Sequence, residues 1–299
     1  MPSLKDVQTK ISAVKKTQQI TKAMNMVATS RLRGCQMRME GFRSYADKFS
    51  EVLGSLSEKS GEEANALITP REQVNNIHIV LCTSDRGLCG GFNANLIDKA
   101  SKFIADPSSN GMEFTFTGFG KKGLNWCRKK KQNVTDAYLD IVGKRIPFHV
   151  ASTAGRKLVD AYLEGTYDEV YIIYPEFLNV GRQIPVMKKL LPIPPIESKN
   201  GKDEHYEDRI FYLAEHICEP PPEELLGMLL PKNVFVQIYR ALLETSTSEH
   251  AARMTAMDNA TKACKDIIEN LTVLYNKARQ SAITAELMDI VGGAEALRG

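Results

Sequence analysis

At 299 residues, with 43% apolar and 25% charged side chains and a formal charge of +3, the chain has the composition of a folded globular protein. No bulk charge forces a nucleic-acid or membrane partner, and no run of about eighteen apolar residues reads as a bilayer span. The six cysteines (Cys35, Cys82, Cys89, Cys127, Cys218, Cys264) form no C-x-x-C pair and no zinc-finger spacing with histidines, which points to free thiols in a reducing compartment. The opening MPSLKDVQTKISAVKK has no signal-peptide apolar core.

The first element is a long helix. Steps of three and four from Leu4 give Val7, Ile11, Val14, Gln18, Thr21, Asn25, Ala28 and onward to Leu53 and Leu56, and thirteen of these sixteen positions are apolar. A repeat of 3.5 residues keeps one face turned toward a partner helix along its whole length, so the pattern predicts a coiled-coil strand. No proline interrupts residues 3–69, and Ser3 is placed to cap the start. Some 55 helical residues make a rod of roughly 80 Å, longer than a globular core needs. Residues 1–45 carry nine Lys or Arg against two acidic residues, a basic surface suited to an acidic partner.

The middle of the chain changes period. Val74–Thr83 reads as a buried strand, followed by a glycine-rich turn and a helix over Phe92–Ile104. Met112–Thr117 is a second strand leading to a helix at Lys121–Lys130, and Ala137–Val142 a weaker third. A helix over Val150–Leu163 and strands at Glu169–Tyr174 and Val186–Leu191 follow, then a solvated loop, ESKNGKDEHYEDR, over residues 197–209. Strands alternating with helices predict a mostly parallel α/β sheet.

The last element mirrors the first. From Val236 the same steps reach Tyr239, Leu243, Ser246, His250, Arg253, Met257 and onward to Met288. Pro231 is the final proline, so the expected helix runs from about Asn233 to Val291, with Gly292 and Gly293 as its stop. Each rod has one polar interruption, Gln18–Asn25 and Ser246–Arg253. Antiparallel pairing that levels the two predicts facing numbers summing to about 271, so that Leu4 lies near Ile267. About two dozen residues then project as a lone helix carrying Leu274, Ile283, Leu287, Ile290, Val291 and Leu297, an apolar tip that implies a socket in another protein. The predicted architecture is a long antiparallel coiled coil of the N-terminal (1–69) and C-terminal (209–299) segments with a Rossmann-like α/β domain inserted at 70–208.

Two motifs invite a chemical reading. Gly118-x-Gly120-x-x-Gly123, after a strand and opening a helix, with Asp140 about twenty residues on, has the form of a dinucleotide fingerprint; the simpler reading is a tight strand-to-helix turn. Ser84–Asn93 (SDRGLCGGFN) has the look of a phosphate cradle, with Cys89 beside Arg86, or of a structural turn capped by Asp85. The five histidines form no metal or triad signature, and Arg128–Lys131 reads as a solvated helix end. A dinucleotide-dependent enzyme that dimerises through its ends is the alternative to a mechanical protein.

Three segments carry a family resemblance: TQQITKAMNMVATSRLR (Thr17–Arg33), TSDRGLCGGFN (Thr83–Asn93), and ALLETSTSEHAARMTAMDNAT (Ala241–Thr261) with YNKARQSAITAELMDIVGGAEAL (Tyr275–Leu297). The chain resembles the γ subunits of F-type ATP synthases, of bacterial type. The resemblance implies a central rotor shaft that couples ion flow through a membrane ring of c subunits to conformational change at the catalytic β subunits. It performs no bond chemistry and needs no cofactor or metal. Implied partners are the α and β subunits, the ε subunit and the c ring, with no nucleic acid and no bilayer insertion. The implied location is peripheral, on the cytoplasmic side of the bacterial inner membrane.

By resemblance, Arg279, Gln280 and Thr284 meet a catch loop of α/β, while Met24 and Arg253 lie together where an acidic lever of β presses. The sum rule sets Met24 opposite about residue 247, within two turns of Arg253. The exposed cations Lys10, Lys15, Lys16, Lys22, Arg31 and Arg33 suit that lever. His216 and Glu219 mark the end that faces the ring and ε, although His216 and Cys218 stand where the family pattern calls for aromatic residues.

Overall fold

The 3.5-residue seam produces a helix of the expected kind. In the computed structural model, which describes residues 4–60, 65–107, 111–194 and 219–296, helix α1 spans Leu4–Ser60. None of its sixteen seam positions is exposed, whereas the cations from Lys5 to Lys48 face solvent, except half-buried Arg43. Ser3, the expected cap, lies outside the described residues.

The α/β elements follow in order: β1 (Asn76–Cys82), α2 (Phe92–Ile104), β2 (Glu113–Phe119), α3 (Lys121–Lys129), β3 (Asn133–Tyr138), α4 (Phe148–Leu163), β4 (Glu169–Asn179) and β5 (Arg182–Leu191). The strands form one sheet in the order β3-β2-β1-β4-β5, parallel except for β5. Strand period sorts the side chains between two cores. Ile77, Ile79 and Leu81 of β1 and Ile173 of β4 pack with Leu96 of α2 and Cys127 of α3. Val80 and Cys82, with Ile172 and Tyr174, face the other way, onto α4 and onto Leu53, Val234 and Ile238 of the long helices. Gly155 lets α4 approach α5, because a Cβ there would collide with the ring of Phe235.

Four elements depart most from their expected boundaries. The third strand is Asn133–Tyr138, not Ala137–Val142. It is a polar edge strand of alternating exposure, and the apolar signal further on came from Val142 and Ile146, buried in the following loop. β4 continues through Pro175 to Asn179, and β5 begins at Arg182. Pro175 faces Pro185, so the two missing amide donors fall at a single rung of the hairpin. Helix α5 runs over Pro222–Ala296, starting earlier than expected and passing through Pro231, Gly292 and Gly293. Pro222 opens the helix where its missing N–H costs nothing, and Glu223 and Glu224 favour the first turn. Pro231 forfeits one helical bond, but buried Leu226, Leu230 and Val234 around it hold the segment on the core.

The chain divides into two compact units: Met1–Ser30 with Arg253–Gly299, and Arg31–Ala252. In the second, α1 and α5 are antiparallel, with Cys35 level with Ser246 (Sγ···Oγ 3.5 Å) and Arg240 donating to Asp47 at 3.0 Å. Every residue of α5 from Ala241 to Ala251 is buried, including Glu244-Thr245-Ser246-Thr247-Ser248-Glu249-His250. Polar groups at such depth need partners. Glu244 accepts from the backbone N–H of Phe177 (3.1 Å), from Arg43 Nη2 (3.3 Å) and from Arg240 Nε (3.3 Å).

His78, fully buried between β1 and β2, has Thr115 Oγ1 at 2.7 Å and Thr117 Oγ1 at 2.9 Å and stacks on Tyr167. Burial lowers its pKa from 6.5 to about 4, against a small opposing pull from Asp136. The folded state therefore keeps His78 neutral where the unfolded chain binds a proton. The resulting stability is complete above pH 6.5 and is lost as pH falls toward 4, by about 2 kcal/mol between pH 7 and pH 5. Urea titrations of the full chain at those two pH values should show this loss, and His78→Gln should remove that part of the slope; an unchanged slope would contradict it.

Candidate functional site: a helical rod for partner proteins

In the unit of residues 1–30 and 253–299, residues 4–30 and 253–296 form a pair of antiparallel helices in which the seam residues Thr21 and Asn25 bond across the pair. Asn25 Nδ2 donates to the Met254 carbonyl at 2.8 Å, and the Thr21 and Thr261 hydroxyls bond at 2.8 Å. Thr21 was expected level with residue 250, so the true register lies about ten residues further along α5. The levelling assumption fails because the first polar stretch meets Met254 and Thr261, while the second is satisfied elsewhere: Ser246 meets Cys35, and His250 meets the carbonyl of Gly143 at 3.2 Å. The α5 stripe also changes phase after Cys264. Ile268, Leu271, Tyr275, Ala278 and Ala282 are the half-buried positions, while Ile267 and Leu274 of the expected seam are exposed.

Beyond Ala282 every position to Ala294 is exposed, among them Ile283, Leu287, Met288, Ile290 and Val291. Such a density of large apolar side chains on one bare helix is the kind of exposed patch that marks protein interaction sites. Thr284 lies on this stretch and Arg279 and Gln280 lie just before it, all exposed, with the Thr284 hydroxyl donating to the Gln280 carbonyl at 2.9 Å. Met24 is half-buried on α1 and Arg253 is buried on α5. The Asn25–Met254 bond sets the two at the same level of the hairpin, closer than the sum rule implied. Lys10, Lys15, Lys16 and Lys22 are exposed on α1 of this unit, and Arg31 and Arg33 are exposed on α1 at the start of the other. Glu219 is exposed just before α5, and His216 and Cys218 lie outside the described residues.

The glycine-rich motifs are closed by the chain itself. A phosphate at the start of α3 would need the free amides of its first turn. Those of Lys121, Lys122 and Gly123 are taken by Asp85 Oδ1 (3.1 Å), the Ser84 carbonyl (3.1 Å) and Thr83 Oγ1 (2.8 Å). Gly120 has φ +92°, and a Cβ there would overlap the Thr83 carbonyl; one on Gly123 would meet Thr83 Oγ1 at 2.9 Å. Asp140, in the place of a ribose-binding acid, pairs with Lys121 at 3.1 Å, and that contact lowers its pKa. In the Ser84–Asn93 loop, Asn93 Oδ1 accepts from the Ser84 backbone and hydroxyl (3.0 Å each), and Asn93 Nδ2 donates to Cys89 Sγ at 3.2 Å. Both motifs are turns that lock β1, β2, α2 and α3 together.

One cluster escaped the sequence reading: Glu244 with Arg43, Arg240 and the backbone of Phe177. Its only signal was a seven-residue polar run, ETSTSEH, within an otherwise amphipathic helix. Nearby, burial raises the Cys35 thiol pKa, but contacts with His250 and Ser246 and the charges of His250 and Arg38 outweigh it and leave a net lowering.

No helix among the described residues is long and apolar enough to cross a membrane. A family model described as ATP synthase matches residues 3–297. The chain is 61% identical over 305 residues to the ATP synthase gamma chain of Desulfosudis oleivorans, covering all of both chains. It is 59% identical to that of Desulforapulum autotrophicum, covering 99% of this chain and 100% of the relative. In fold it is similar to a chain of the Euglena gracilis mitochondrial ATP synthase (OSCP/F1/c-ring), with a TM-score of 0.66 at 19% identity, over 98% of this chain and 94% of that one. The chain belongs to the ATP synthase gamma chain family.

Proposed function

We propose that this chain is the central rotor shaft of an F-type ATP synthase, coupling ion flow through a membrane ring of c subunits to conformational change at the catalytic β subunits. The observation that carries the reading is the bare apolar end of α5 from Ile283 to Val291, since burying so much apolar surface calls for a protein sleeve. The solved structures of similar fold include the rotor and the central stalk with its c ring, which supports the assignment of partners. The chain itself performs no bond chemistry on this reading. It holds no cofactor and sits peripherally at the cytoplasmic face of the bacterial inner membrane, with α, β, ε and the c ring as partners.

Within that function, Arg279, Gln280 and Thr284 bind the α/β sleeve from the exposed stretch of α5, and Met24 with Arg253 forms the level where an acidic lever of β bears on the shaft. Lys10, Lys15, Lys16, Lys22, Arg31 and Arg33 steer that lever by long-range charge, which allows contact without a rigid lock. Glu219, with His216, belongs to the end facing the ring and ε. The segments 1–69, 70–208 and 209–299 divide the labour as shaft strand, inserted domain and shaft strand.

Replacing Arg253→Ala in the assembled synthase should lower ATP-driven proton pumping about fivefold or more, the size of a typical lost coupling energy, with α and β still co-purifying. Unchanged pumping in reconstituted vesicles would remove Arg253 from the coupling level. Deleting residues 285–299 should make the isolated chain more soluble, read as a larger monomer fraction in size-exclusion chromatography; the same aggregation with and without the tip would count against the sleeve.

A further inference from the structure

In the 31–252 unit the sheet rests on the long helices through an apolar face that includes Leu53, Ile172, Tyr174, Val234 and Ile238. Apolar burial has no direction, so such a face holds two bodies together but resists their twisting only through side-chain interlock. Tyr239 of α5 donates from its hydroxyl to the Ile146 carbonyl at 3.1 Å, and among the described residues buried polar side chains of α5 bond the backbone of the α/β elements at two further levels. At the first, buried Glu244 accepts the N–H of Phe177 at 3.1 Å, and Arg43, itself bonded to Glu244, donates to the Phe177 carbonyl at 3.4 Å. β1 pairs with β4 only as far as Ile173, so at Phe177 this charged pair engages the backbone beyond the strand β1 supplies. At the second, His250 Nε2 donates to the Gly143 carbonyl at 3.2 Å, a contact that fixes its tautomer. Gly143 has φ +84°, and a Cβ there would lie 2.6 Å from Glu249 Oε2, so the loop is pressed against the helix.

The two levels are six residues apart, about 9 Å along the axis and about 120° around it. A single bond would let the sheet pivot about the helix, whereas two bonds so separated oppose rotation with a lever arm. Stability alone is a poor reason for a carboxylate at 0% exposure, because buried ion pairs seldom outdo apolar side chains of the same volume. Directional positioning is what such a group adds.

We propose that Glu244 and His250 are two buried positioning residues through which torque passes between the sheet and the long helices, a role that rests on the rotor reading. The test uses the complete synthase reconstituted with this chain carrying Glu244→Gln, His250→Phe or both. Thr247→Val serves as the control, a fully buried neighbour whose hydroxyl bonds the Leu243 carbonyl of its own helix. A bead fixed to the α/β unit reports the angular width of the rotary pauses, and vesicles report protons pumped per ATP hydrolysed. The double variant should widen the pauses and lower pumping per ATP several-fold while hydrolysis continues; each single variant should do so in part, and Thr247→Val should do neither. Should Glu244→Gln fail to assemble, His250→Phe alone decides the matter by the same two readouts. Unchanged pause width and pumping ratio, or equal changes with Thr247→Val, would overturn the pins while leaving the rotor intact. A wild-type complex whose bead does not turn would sink the rotor reading, and the pins with it.

Discussion

Two helices of 57 and 75 residues carry an apolar stripe far longer than one five-stranded sheet can cover. That constraint organises the chain. Within residues 31–252 the stripes are covered twice over, by each other and by the sheet, and α5 is buried on all sides from Ala241 to Ala251. Within residues 1–30 and 253–299 each stripe has only the other helix, so burial is one-sided and ends at Ala282. What remains beyond is apolar surface that the folding of this chain leaves exposed.

Burial of that depth makes the polar content of α5 informative. Seven consecutive polar residues inside a protein need partners, and the backbone partners that Glu244 and His250 find belong to β4 and to the loop after β3. The same logic closes the nucleotide question. The glycines that resemble a dinucleotide fingerprint lie where the loop after β1 presses on the start of α3, and its Thr83, Ser84 and Asp85 occupy the amides a phosphate would need. Glycine spacing reports close backbone approach, and here the approaching backbone is the chain's own.

Surface and stiffness are the two properties that the proposed shaft role draws on. In that proposed role the bare end of α5 and the cationic face of α1 are the surface that meets partners. The seam contacts Thr21–Thr261 and Asn25–Met254 set which residues share a level, which is how Met24 comes abreast of Arg253. Anchorage of α5 to the sheet backbone supplies the stiffness a shaft needs if angle is to be conveyed.

Periodicity alone determined the two long helices, the antiparallel hairpin, the inserted α/β sheet, the α2 boundaries and the bare tip, because each follows from which side chains avoid water at a spacing of 3.5 or 2. Register was not legible, since levelling the polar residues assumes they satisfy one another, and Ser246 and His250 are satisfied by Cys35 and Gly143 instead. The edge strand β3 and the passage of α5 through Pro231 were also illegible, because each is held by neighbours distant in sequence against weak or contrary local signals. The Glu244 cluster belongs to the same class. A carboxylate on a helix reads as solvated until the fold brings Arg43, Arg240 and the Phe177 amide around it, and only tertiary structure turns a surface residue type into a buried joint.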